Sequence, residues 1–420
     1  MRGTSLISGW FPWVLLVLTG SSAGTLLWCH RRAPARLRWP AITAVVAVAA
    51  AVVVFGQIDP FQYRVPPAVY LWPCVGLFVV ALGIATWRAG SWRRRTLGVV
   101  AAVLAALAST SLINVHYAYY PTVGALMGEV SPYETDQAGL RALLQRAAST
   151  GKLPTSGRVF VASIPAPASG FRARRALVYV PPAWFLQQRP RLSVLVLLHG
   201  TPGRPGDWFR SGAADRATNA YAAAHGGDAP ILVVPDVNGS TFADTECVDG
   251  PRGNAETYLT DDVSDYAIDV LGASADRARW GLVGLSAGGT CAMTLALRHP
   301  DRYAAFANFG GDDAPNVGSR ERTIRVLFGG DHDAWAAHDP ATLLEHGSYP
   351  GLRAWFEVGT ADSGPRRAAE RLAPAATAAG IDTTLRVRRG GHSYAFWRPA
   401  FSHSLDWLCA SVGVGRDTAS

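Results

Sequence analysis

Gly284-Leu285-Ser286-Ala287-Gly288 matches the pattern G-x-S-x-G. It follows an apolar run at 280–285 and precedes a helix-like stretch at 290–299. A serine on such a strand-to-helix bend is held in a strained conformation with its hydroxyl exposed at the end of a sheet. The helix start aims free N–H groups and a positive dipole end at the same centre. That is the chemistry of a nucleophile attacking a carbonyl. A serine hydroxyl needs a base to do so, and in the chain order serine, acid, histidine the base is His392. It sits in the turn Gly390-Gly391-His392-Ser393, with His403 as its nearest rival. His299, at the end of the helix after the serine, is explained as a cation at a helix C-terminus. The acid that orients the imidazole is expected at Asp362, in Gly359-Thr360-Ala361-Asp362, with Glu357, Asp331 and Asp333 as alternatives. Two N–H donors for the developing oxyanion are expected at Ala287 and Thr201, with Gly200 as the alternative to Thr201. His199 then has a structural part.

Such side chains have to be carried by a sheet. From residue 157 the chain alternates short apolar runs with turns and helical stretches. The runs at 158–164, 176–180, 192–198, 230–235, 280–285, 303–309, 324–328, 352–358 and 383–387 read as strands. Those at 261–271, 290–299, 365–379 and 402–412 read as helices. Strands apolar on both faces, alternating with helices, predict a mostly parallel sheet covered on both sides.

The segments LLHGTPGRPGDW, VVPDVNG, ETYLTDDV, GLSAGG, GTAD and GGHSYAFW occur in this order, and on them residues 158–412 resemble the esterase D-like family. Its members include feruloyl and acetyl esterases, S-formylglutathione hydrolase and secreted mycolyltransferases. The resemblance implies an α/β-hydrolase fold, cleavage or transfer of carboxylic esters, and neither metal nor cofactor. It supports Ser286, Asp362 and His392, with Thr201 and Ala287 as donors. The chain also resembles membrane-tethered esterase-like proteins of actinobacteria, in which several spans precede this domain. ECVDGPRGNAET and GGDHDAWAAHDP are its unusual pieces.

The first 120 residues are of another kind. Four apolar stretches, 9–29, 39–57, 67–87 and 96–115, each approach the ~20 residues that cross a bilayer core. None has a charged residue inside it, and tryptophans stand near the ends of the first and third. Four transmembrane helices are expected, followed by a juxtamembrane linker or lead-in helix at 121–157 and a catalytic domain at 158–415. A cleaved signal peptide is the alternative for the first stretch. Arg31, Arg32, Arg36 and Arg38 follow the first span, and Arg88, Arg93, Arg94 and Arg95 precede the fourth. The positive-inside rule puts both loops in the cytoplasm and the large domain outside it.

The formal charge of +8 is concentrated in this region: residues 1–120 hold ten arginines and one acid. The remainder is near neutral, so the charge is no argument for nucleic-acid binding. Of five cysteines, Cys247 and Cys291 are expected to pair in an oxidising compartment. The expected function is a membrane-anchored extracytoplasmic serine esterase acting on an envelope lipid, acyl-glycan or aminoacyl-lipid ester. The alternatives are an acyltransferase using the same residues, or a non-catalytic envelope-binding protein.

Overall fold

The computed structural model describes residues 2–31, 37–58, 67–87 and 91–415. Arg32, Arg36, Arg64 and Arg88 lie outside the described residues. The chain divides into two compact units, Met1–Gly128 and Glu129–Ser420.

In the first unit, among the described residues, four long helices follow one another: α1 (Trp10–His30), α2 (Arg38–Ile58), α3 (Pro67–Trp87) and α4 (Trp92–Tyr117). Among the described residues, three segments are long and apolar enough to cross a membrane: Trp10–His30, Val69–Trp87 and Trp92–Tyr117. This corrects the expected four. The portion of α2 with described side chains, Arg38–Val53, is too short to count as a span. Small residues set the packing of α3 on α4. A Cβ added to Gly83 would lie 2.8 Å from the Gly98 carbonyl oxygen, and one added to Gly98 would lie 3.1 Å from that of Gly83. Ala101, Ala105 and Ala108 continue this buried line along α4. Close backbone approach through small residues is how helices associate where lipid removes the hydrophobic drive between them.

The second unit is an eight-stranded sheet. Its strands are β1 (Arg158–Ala162), β2 (Ala176–Val180), β3 (Val194–Leu198), β4 (Ile231–Val234), β5 (Trp280–Leu285), β6 (Ala305–Phe309), β7 (Arg353–Gly359) and β8 (Asp382–Arg388). The spatial order is β1-β2-β4-β3-β5-β6-β7-β8. The pairs β1–β2 and β2–β4 are antiparallel and all others are parallel. This is the α/β-hydrolase arrangement. Strands β3 and β5, in the middle, are buried at every residue, as a sheet covered on both faces requires.

One expected strand is a helix. Residues 324–328 lie at the end of Arg320–Leu327, where Thr323, Ile324 and Leu327 face inward at helical spacing. Ser319 caps it by accepting the Arg322 N–H. The stretch at 121–157 contains the helix Gln137–Thr150, capped by Asp136, whose Leu140 and Ala147 join the core of the second unit.

Candidate active site

Ser286 stands where β5 ends and the helix Ala287–Arg298 begins, at φ 56° and ψ −132°. Positive φ is costly for a residue with a Cβ, and the surroundings enforce it. A Cβ on Gly284 would lie 1.7 Å from the Gly288 carbonyl oxygen, and one on Gly288 would lie 2.2 Å from that of Leu198. The Ser286 N–H donates to Phe309 at the end of β6, 3.1 Å away.

His392 lies between β8 and the helix Tyr394–Ser411. Its Nδ1–H donates to Asp362 Oδ2 at 2.7 Å, and its Nε2 accepts the Ser286 hydroxyl at 2.9 Å. Asp362 follows β7, immediately before the helix Ser363–Ala378. The Trp397 indole packs edge-on against the imidazole, with ring centres 4.7 Å apart. The parallel order of β5, β6, β7 and β8 brings these loops together at the C-terminal ends of their strands, the usual place for a site in an open α/β sheet.

The rivals lie elsewhere. His403 contacts Arg388 and is exposed. Burial first, then Arg388 and Arg386, hold its pKa below the ordinary value. Glu357 is buried and accepts from Trp355 Nε1 at 3.0 Å and from Arg388 at 2.9 Å. Asp331 caps the helix His332–Ala336 by accepting the N–H groups of Asp333 and Ala334, and Asp333 is exposed.

Ala287 follows the serine directly, and Thr201 stands in the loop after β3. Gly200 between them and β3 is packed so closely that an added Cβ would meet Ser286 Cβ at 2.8 Å. Among the described residues, neither the Thr201 nor the Ala287 backbone N–H donates to a protein acceptor. His199 is fully buried and 3.3 Å from Asp236, which also binds Arg174 at 2.6 Å. Burial works to raise the Asp236 carboxyl. Hydrogen bonds from His199 and Arg174 outweigh it and hold the group well below the usual carboxylate range. These contacts tie the β3 and β4 loops together behind the site.

Cys247 and Cys291 form a disulfide. Cys291 is in the first turns of the helix after Ser286, so the loop at 238–248 is pinned beside the nucleophile. That loop brings Asp244 and Glu246 near Asp312, from the loop after β6. Of these acids only Glu246 falls in the unusual piece ECVDGPRGNAET, and the sequence assigns a part there to Cys247 alone. The acids belong to no motif and meet only in space.

The chain matches the family described as "Putative esterase" over residues 171–408. An uncharacterized protein of Corynebacterium glutamicum is 32% identical over 419 residues, spanning 96% of each chain. An S-formylglutathione hydrolase of Paracoccus denitrificans is 27% identical over 174 residues, 40% of this chain and 61% of that protein. Among solved structures, an S-formylglutathione hydrolase from Agrobacterium tumefaciens superposes with a TM-score of 0.52 at 23% identity, covering 62% of this chain and 98% of that one. It shows the shared fold. With the family match spanning more than half of its length, the chain belongs to the "Putative esterase" family and is a carboxylesterase-type serine hydrolase.

Proposed function

We propose that this protein is a membrane-anchored esterase that cleaves carboxylic esters of the cell envelope from the extracytoplasmic side, through Ser286, His392 and Asp362. The observation that carries the reading is the unbroken hydrogen-bonded series from the Ser286 hydroxyl through His392 to Asp362, set on the strained bend at position 286.

In this reaction His392 Nε2 takes the hydroxyl proton as Ser286 Oγ attacks the ester carbonyl. The Asp362 carboxylate stabilises the imidazolium that forms. The N–H groups of Ala287 and Thr201 receive the oxyanion. His392 then gives its proton to the departing alcohol, leaving an acyl-enzyme. Water, deprotonated by the same imidazole, releases the acid.

Two features support the location. Arg93, Arg94 and Arg95 stand in the first turn of α4, so the positive-inside rule orients this last span with its C-terminal end outward. The Cys247–Cys291 disulfide suits an oxidising compartment. Anchoring to a bilayer raises the local concentration of esters held in it, which favours lipid-borne substrates.

The test is labelling of the full-length protein by a fluorophosphonate probe, beside hydrolysis of a short-chain ester. Labelling is expected in the wild type and absent in Ser286→Ala. Hydrolysis should fall by ~10⁴-fold or more in either Ser286→Ala or His392→Ala. Undiminished labelling of Ser286→Ala would overturn the assignment. Protease cleavage within 129–420 in intact inverted vesicles, but not in intact spheroplasts, would overturn the location.

A further inference from the structure

The loop pinned by the disulfide carries charge that the ester-cleaving steps leave unused. Glu246 is 3% exposed. Its carboxylate accepts the Asn316 backbone N–H, yet its Oε2 has no hydrogen-bond partner among the described residues. A buried carboxylate oxygen left bare is costly. Two further carboxylates stand beside it. Asp244 and Asp312 are half-buried, and each is close enough to Glu246 to repel its charge.

Asp312 and Glu246 are both tied to the helix that begins after Ser286. Thr201 lies beside Asp244, and its hydroxyl accepts from Asn238 Nδ2 at 2.8 Å. The Asp312 N–H donates to Thr290 Oγ1, at 2.9 Å, in the first turn of the helix that begins after Ser286. Asp312 also lies within electrostatic range of His392. Glu246 precedes Cys247, which is bonded to Cys291 of the same helix.

The cations facing this group do not balance it. Arg252 donates to the Asp244 backbone carbonyl, leaving its exposed guanidinium near Asp244 and Glu246. His199 is engaged by Asp236, and His392 by Asp362. Asp313, next in the chain, is paired with Arg371. Among the described residues, no three His, Cys, Asp or Glu side chains are grouped so as to hold a metal ion. A small hard cation needs such close grouping of oxygen ligands, and an ammonium group does not.

We infer that Asp244, Glu246 and Asp312 form a subsite for an ammonium group, so that the ester cleaved at Ser286 carries a positive charge close to its scissile bond. This rests on the ester-cleaving reading of Ser286. Burial pushes the Asp244 and Asp312 carboxyls up to about 6, and burial with repulsion from Asp244 and Asp312 raises Glu246 well above its ordinary value. An arriving cation would reverse that cost. The charge can belong to the acyl part, as in an aminoacyl ester, or to the alcohol part, as in a choline-type ester.

Matched substrates separate these cases in the full-length protein. One pair is glyceryl alaninate and glyceryl isobutyrate, in which a methyl replaces the ammonium. The other is the choline and 3,3-dimethylbutyl esters of isobutyric acid. In one pair the cationic ester should be preferred by ~30-fold in kcat/KM, the scale of a partly desolvated charge pair. The pair that shows it identifies the side bearing the charge. Glu246→Gln and Asp312→Asn should each cut that ratio by ~tenfold. The ratio is internal to each variant, so a general loss of activity does not mimic the result. If Glu246→Gln does not fold, the half-buried Asp312 variant carries the test. Ratios near one in both pairs, with Ser286 labelled and neutral esters cleaved, would overturn the subsite alone. Absence of labelling and of all hydrolysis would instead overturn the ester-cleaving reading beneath it.

Discussion

The two units use the same apolar residue types in opposite directions. In the first, Leu26, Val79 and Leu82 are buried but the tryptophans face outward: Trp10, Trp13 and Trp28 are 65%, 69% and 68% exposed. Glycine and alanine fill the contact between α3 and α4. In the second, β3 and β5 bury every residue, and phenylalanines and tryptophans fill the core. Water drives large apolar groups inward. Lipid does not, and leaves close backbone packing to hold helices together. The difference identifies the solvent that each unit expects. It also explains why the strained chemistry sits in the second, where a dense core can hold a backbone in an unfavourable conformation.

Adding one methyl group to each unit tests this contrast. Gly284→Ala places a Cβ against the Gly288 carbonyl, where two backbones meet in the core. The cost is expected to be on the order of 5 kcal/mol, at the upper end for single substitutions. Pulse proteolysis should show the second unit unfolded, with Ser286 no longer labelled. A stable, labelled variant would show that the bend is not rigidly held. Next in size is reduction of the Cys247–Cys291 bond, whose cysteines are 44 residues apart. The second unit should lose roughly 3 kcal/mol in a chemical-denaturation series. The helix content of the first unit should be unchanged, since its cysteines are free.

Gly83→Ala puts its methyl against the Gly98 backbone, but two helices in lipid can separate slightly. A loss of about 1 kcal/mol is expected, read from unfolding in mixed micelles. A larger loss than that of Gly284→Ala would reverse the comparison. A last test of the contrast uses acid. Burial works to raise the Glu256 carboxyl, but His299, His338 and Arg298, each 2.7 Å away, outweigh it and hold it well below the usual range. A carboxylate depressed on folding contributes stability above its unfolded value of 4.5 that is lost as pH falls below it. The thermal midpoint of the second unit should therefore drop between about pH 5 and pH 3. The helix signal of the first should not, because its 128 residues contain a single acid, Asp59.

Much of this was legible locally. The bend at Ser286 announces itself in five residues: Gly284 is demanded by Gly288 of the same bend, although Gly288 itself meets Leu198 of β3. The apolar stretches before residue 120 are legible because composition alone decides whether a helix suits lipid. The segment at 324–328 was misread, since a short apolar run suits either a strand or one face of a helix. The deciding cap, Ser319, lies upstream of it.

By itself the sequence determined the serine, its bend, the apolar strands around it and the greasy first unit. Each follows from interactions between near neighbours in the chain. Only the tertiary structure decided that His392 rather than His403 reaches Ser286, and that Asp362 rather than Glu357, Asp331 or Asp333 reaches His392. It alone brought Asp312 to the loop of Asp244 and Glu246. A hydrogen bond is a contact of about 3 Å, and these groups stand on separate loops. Their distances follow from the order of the strands in the sheet, which no local pattern encodes.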